Sequence, residues 1–327
     1  MSVKRSATVS SLSSSGKFIR NICILAHVDH GKTTLADALL ATNGIVSLRQ
    51  AGKLRYMDNT PAEQERGITM KSSVVGLRFT RPPSSKQPES CSFLVNLVDS
   101  PGHVDFATEV STAVRLCDAA IIVVDVIEGV CPQTRSVLRQ AWNEQLTLIL
   151  VLNKIDRLIL ELQLSCLQGY QVICRVIEQV NSVLAEMFAA DIARHRDEDL
   201  QLSSKQPASD DIGAISYVIS DDLSQTDDSK LYFSPDRGNV VFASAADAWG
   251  FRPSDFLTLW SEKLNVSVDE LDKFLWGDYY ISRSPNEGCG GRTVFKSDAH
   301  SNGRKPVFVQ LVLEPLWKAY QVGELVS

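Results

Sequence analysis

Gly31, Lys32 and Thr33 lie within the run AHVDHGKTTL (residues 26–35), directly after the apolar stretch Asn21–Leu25. These residue types suit phosphate chemistry. A glycine lets backbone approach a phosphate, a lysine neutralises the β- and γ-oxygens, and a threonine hydroxyl can ligate Mg²⁺. A strand-to-helix turn also aims backbone N–H groups at an anion, and the helix N-terminus adds positive potential. Ala26, His27, Val28, Asp29, His30, Gly31, Lys32, Thr33 and Thr34 therefore read as one phosphate cradle. The usual first glycine is replaced by Ala26, which is small enough provided its φ stays negative. A chance Gly-Lys-Thr in a loop would lack the flanking strand and helix.

Four further groups follow, each after a strand-like run. NLVDSPGH (96–103) brings Asp99 to hold Mg²⁺ through water and Gly102 to offer its N–H to a γ-phosphate. VLNKID (151–156) ends in Asp156, whose carboxylate can accept from both N1–H and the exocyclic amine of guanine, a donor pair that adenine lacks. Asn153 would buttress that loop and Lys154 would lie along the base. FASAAD (242–247) offers the backbone N–H groups of Ser244 and Ala245 to the guanine O6, a weak signal that counts only by position. EQERGITM (63–70) holds Thr69, which can reach Mg²⁺ and release it after hydrolysis.

These residues need a scaffold that gathers strand ends. Strand-like runs at 22–26, 74–79, 93–98, 119–126, 146–154 and 239–245 alternate with helix-like runs at 32–42, 106–116, 133–145, 164–190 and 253–264. That order predicts an α/β fold, a mostly parallel sheet with helices on both faces and the ligand at the carboxyl ends of its strands. RPPSSKQPES (81–90) reads as an exposed loop. Residues 191–230 read as a mobile acidic insertion and 282–305 as a second loop. PVFVQLVLEPLWKAY (306–320) reads as a strand and the start of a helix.

The net charge of −6 is matched by the 191–230 segment, which holds ten acids and four bases, so the remainder is near neutral. This argues against a strongly basic nucleic-acid-binding domain, and no DNA partner is expected. Seven cysteines without a C-x-x-C pair point to reduced thiols and a reducing compartment. There is no uninterrupted apolar stretch of bilayer length, so no membrane partner is expected. Residues 1–18 are Ser-rich without an apolar core and read as a disordered tail, although their basic, acid-free character also fits a transit peptide.

The motifs AHVDHGKTTL, RGITMKSS, DSPGHVDF, CPQT and NKID, in this order, resemble the translational GTPases. GNVVFASAADAWGFRPSDF and LWGDYY resemble the elongation factor two family. AGKLRYMD and ITMKSS resemble its elongation factor-like branch, which acts on the large ribosomal subunit. The resemblance runs from about Ile19 to Tyr320. It implies a P-loop GTPase domain over 19–327, with the family's downstream domains absent. It also implies GTP/GDP and Mg²⁺ as ligands, a catalytic His103 that orients water, and Asp29 as a ligand of a monovalent cation. His27 and His30 are expected to be conformational. The implied setting is cytoplasmic maturation of the pre-60S particle with its maturation factors, where hydrolysis helps release the anti-association initiation factor six; a monomer is expected. A translocating elongation factor, or a nucleotide-binding module without turnover, are the alternatives.

Overall fold

The computed structural model describes residues 18–47, 56–58, 63, 65, 69–81, 91–103, 106–203, 231–283, 293–299 and 303–324. The expected N-terminal tail, the 82–90 loop, the 204–230 part of the acidic stretch and residues 284–292 and 300–302 lie outside them.

A seven-stranded sheet forms the centre, in the order β2-β3-β1-β4-β5-β6-β7. The strands are β1 (Ile19–Ala26), β2 (Ser73–Arg81), β3 (Cys91–Asp99), β4 (Ala119–Asp125), β5 (Thr147–Asn153), β6 (Val240–Ser244) and β7 (Trp249–Phe251). β3, β1, β4, β5 and β6 pair in parallel, while β2 and β7 add antiparallel edges. The chain steps from β1 to one side through β3 and to the other through β4. A crevice therefore opens at the carboxyl end of β1, where such sheets bind ligands.

Alternation along the central strands divides the core in two. Cys23, Leu25, Ile122, Val124, Leu150, Leu152 and Phe242 face one cluster; Ile24, Ala26, Val123, Val151 and Ala243 face the other. The central strands are buried on both faces, which explains their nearly continuous apolar runs. The second face is covered by α1 (Lys32–Thr42) through Ala36 and Leu40, with Val46 and Met57. The first carries α2 (Ala107–Arg115), α3 (Pro132–Asn143), α4 (Ile155–Leu160), α5 (Cys166–Ser203), α6 (Leu257–Leu264), α7 (Val268–Leu275) and α8 (Glu314–Glu324). Among the described residues both faces thus carry helices, unequally shared.

Three expectations change. α5 runs through residue 203, so the acidic stretch begins as helix. Asp191 holds Trp142 Nε1 at 2.5 Å and Arg194 at 2.7 Å, and mixed charge three residues apart suits a helix surface. Residues 293–297 form β9, antiparallel to β8 (Tyr279–Arg283), with Phe295 stacked on Phe274 at 5.1 Å. Residues 307–313 are helical, with a π turn at Val309–Leu313 leading into α8. A short apolar run reads equally well as strand or buried helix, and here the burial of Phe308, Val309 and Leu313 favours the helix.

Candidate functional site

β1 ends at Ala26, whose φ is not positive, and the chain turns through Asp29 (φ 62°) and Gly31 (φ 92°) into α1. A Cβ on Gly31 would meet Asn153 Nδ2 at 2.3 Å, so glycine is required by conformation and by space. Lys32 and Thr33 are buried in the first turn of α1, Thr34 is half-buried, and Asp29 is exposed. The rings of His27 and His30 meet edge to face at 5.1 Å. His30 is fully buried under the loop; its Nδ1 accepts from the Asp125 N–H (3.2 Å) and its Nε2 faces Glu128 (3.2 Å). Burial holds its pKa below the usual histidine value despite Glu128. It is therefore a neutral prop for the loop.

The carboxyl end of β3 brings Asp99 to this turn. Lys32 Nζ lies 2.6 Å from Asp99 Oδ1, and Thr33 Oγ1 lies 3.3 Å from Oδ2 and 3.0 Å from Thr69 Oγ1. Burial pushes the Asp99 carboxyl up from its usual range, and Lys32 opposes this only in part. Thr33, Thr69 and Asp99 thus form a converging set of hard oxygen donors with one carboxylate, the chemistry that suits Mg²⁺. Gly102 packs over the turn: a Cβ there would lie 3.5 Å from the Ala26 carbonyl oxygen and 3.7 Å from Val28 Cα. His103 is exposed beside it, its ring 6.3 Å from Phe106.

The other half of the site is built at the ends of β5 and β6. Asn153 is buried and ties three loops: its Nδ2 donates to the His30 carbonyl (2.9 Å), its Oδ1 accepts from the Ala245 N–H (2.9 Å), and its own carbonyl accepts from Val126 N–H (3.1 Å). Ala245's N–H, expected to face a base, is thus engaged inside the protein. Lys154 turns left-handed (φ 64°) and its Nζ reaches Asp125 Oδ2 at 2.9 Å. Asp156 opens α4 with Oδ1 buried and unpaired. Burial pushes its pKa up, with Ser244 opposing and Asp247 adding to the rise. Ser244 is fully buried, its Oγ 3.1 Å from Asp247 Oδ2.

Several residues here escaped the sequence reading. Asp125 is fully buried; burial pushes its carboxyl up, but Lys154, the Ile127 N–H and Arg157 outweigh this and hold it low. Its signal was an acid closing the apolar run AAIIVVD. Glu63 Oε1 accepts from the N–H groups of Met70 and Lys71, both at 2.9 Å, and Asp58 Oδ1 accepts from Thr69 Oγ1 at 2.8 Å. Together they fix Thr69, and no local pattern announced them.

Comparison with known proteins matches residues 17–284 to the family described as "Elongation factor Tu GTP binding domain". Human "Elongation factor-like GTPase 1" is 50% identical over 302 residues, covering 92% of this chain and 26% of that protein. "Ribosome assembly protein 1" of Saccharomyces cerevisiae is 46% identical over 327 residues, covering 97% and 27%. Its namesake in Schizosaccharomyces pombe is 44% identical over 315 residues, covering 95% and 28%. The chain spans about a quarter of the length of these relatives.

Proposed function

Because this chain belongs to the family of the elongation factor Tu GTP binding domain, we propose that it binds GTP and hydrolyses it to GDP and phosphate. The observation that carries the guanine reading is Asp156 Oδ1, buried yet unpaired. An acceptor in that condition calls for a donor, and guanine supplies two side by side. Asn153 would keep the loop in place while Lys154 lies along the base.

At the other end, the N–H groups of residues 26–34 would wrap the phosphates and Lys32 would turn from Asp99 toward the β- and γ-oxygens. Thr33, Thr69 and Asp99 would hold Mg²⁺, which when bound neutralises phosphate charge. Gly102 would present its N–H to the γ-phosphate. His103, on the same loop, would orient the attacking water. Phosphoryl transfer needs positioning and charge stabilisation more than a strong base, so an exposed histidine suffices. Asp29, at the bend of the loop, would ligate a monovalent cation.

We assign the activity to cytoplasmic maturation of the large ribosomal subunit, with the pre-60S particle and its maturation factors as partners and release of initiation factor six as the step served. The relatives' names, which speak of ribosome assembly and of an elongation factor-like GTPase, support this setting. The test is GTP turnover by this chain with and without purified large subunits, alongside GDP and ATP binding. Guanine-selective binding with turnover raised by subunits is expected. Binding without turnover under either condition would make the chain a nucleotide-binding module, and equal affinity for ATP would overturn the guanine reading.

A further inference from the structure

The run CPQT (131–134) has no task in the reaction above. Cys131, Pro132 and Thr134 are accounted for by helix geometry: Pro132 opens α3, and Cys131 and Thr134 form its capping box. Gln133 takes no part in that cap. Its side chain crosses to two loops, where Oε1 accepts from His27 Nδ1 at 2.7 Å and Nε2 donates to the Gly102 carbonyl. The Gly102 oxygen can only accept, which fixes the amide orientation. The amide oxygen then requires the proton on His27 Nδ1. One half-buried side chain on α3 therefore joins the phosphate loop to the loop that carries Gly102. A Cβ built on Gly102 would in turn lie 3.7 Å from Val28 Cα and N.

We propose that Gln133 is a positioning residue that holds Gly102 in register with the phosphate loop, so that the Gly102 N–H is ready for a γ-phosphate. This role rests on the GTP reading and deepens it. Gln133 acts through Gly102 and needs no contact with the nucleotide. GDP has no γ-phosphate, so the tether should matter for the triphosphate and not for the diphosphate. Loops lose freedom when they bind, and a bond formed beforehand lowers that cost for the one ligand that uses the ordered loop.

The experiment is a pair of titrations, GDP and the slowly hydrolysed analogue GTPγS with Mg²⁺, on the parent chain, Gln133→Ala and Gln133→Glu. Gln133→Ala should leave GDP affinity within about twofold and weaken GTPγS roughly three- to tenfold, the span of one net hydrogen bond. Gln133→Glu keeps the size and the acceptor for His27 but cannot, as a carboxylate, donate to Gly102. It should weaken GTPγS at least as much, which separates the lost bond from lost volume. GDP binding also reports that each variant is folded. An unchanged ratio of the two affinities in both variants, or equal weakening of both nucleotides, overturns the role of Gln133 alone. A parent chain that binds no guanine nucleotide overturns the GTP reading and this role with it.

Discussion

A carboxylate with a buried, unpaired oxygen costs a fold free energy, and such groups concentrate at functional sites. Asp156 is such a residue, and burial raises its pKa above the ordinary aspartate value. Its charged form is therefore disfavoured by the fold. Asp156's contribution to ligand-free stability should rise as pH falls through its raised pKa toward the ordinary aspartate value, while guanine affinity, which needs the carboxylate, should fall over the same window. Asp156→Asn should raise the melting temperature of the ligand-free chain by a few degrees. It should also weaken GDP and shift preference toward xanthine, whose 2-oxo group accepts from an amide. Calorimetry and competition between the two bases measure both effects; an unchanged base preference removes Asp156 from the site. His103 belongs to the same scale. His103→Ala should keep GTP binding and lower subunit-stimulated hydrolysis by roughly a hundredfold, the size of a lost positioning contribution. Equal loss of binding and turnover would refute its assigned role.

Strand ends and turns place these residues. Asn153 closes β5 and ties it to the phosphate loop and to the turn after β6. Its removal leaves the His30 carbonyl and the Ala245 N–H without that partner. Asn153→Ala should cost about 1–3 kcal/mol in urea denaturation and weaken GDP and GTPγS alike, because on the proposed reading both nucleotides use the loops it joins. A selective loss of one nucleotide would place its effect elsewhere. The left-handed Lys154 works at the same level: its turn lets Nζ reach the buried Asp125 at 2.9 Å.

At the scale of the molecule, the site rides on a sheet buried on both faces. Phe242 lies in β6, two residues before Ser244, fully buried with ring centroids of Phe251, Trp276 and Phe308 at 5.6, 5.9 and 5.3 Å. Phe242→Ala should cost about 3–5 kcal/mol, through lost contact and the cavity left behind. GDP at a hundred times its dissociation constant should return about 2.7 kcal/mol, since it binds only the folded chain. Thermal melts with and without GDP check both; a variant that GDP does not stabilise would mean that the loop after β6 has lost its form. The last helix is tied in as well: Trp317 Nε1 donates to the Leu164 carbonyl at 2.8 Å, and Trp249 Nε1 to Tyr320 Oη at 2.8 Å.

The alternation of buried strands with helices was legible in the sequence, and so was the order of the chemistry-bearing turns, because strand, turn and helix signals are local. Asp99 and Asn153 could be placed at strand ends from the apolar runs that precede them, and Asp156 in the turn that follows. The partners of those residues could not. Lys32 meets Asp99 across 67 positions, Asn153 meets Ala245 across 92, and Gln133 meets His27 across 106. Such pairs depend on how strands pack side by side, and no periodicity records that. The run 307–313 shows the same limit at the level of secondary structure. Its apolar residues satisfy strand and helix patterns equally, and only the space beneath the sheet selects the helix. Sequence by itself placed Lys32, Thr33, Asp99 and Asn153 where strands give way to turns, and left Asp58, Glu63 and Asp125 unannounced. Tertiary structure decided which of them touch, which carry a shifted pKa, and which oxygen is left unpaired.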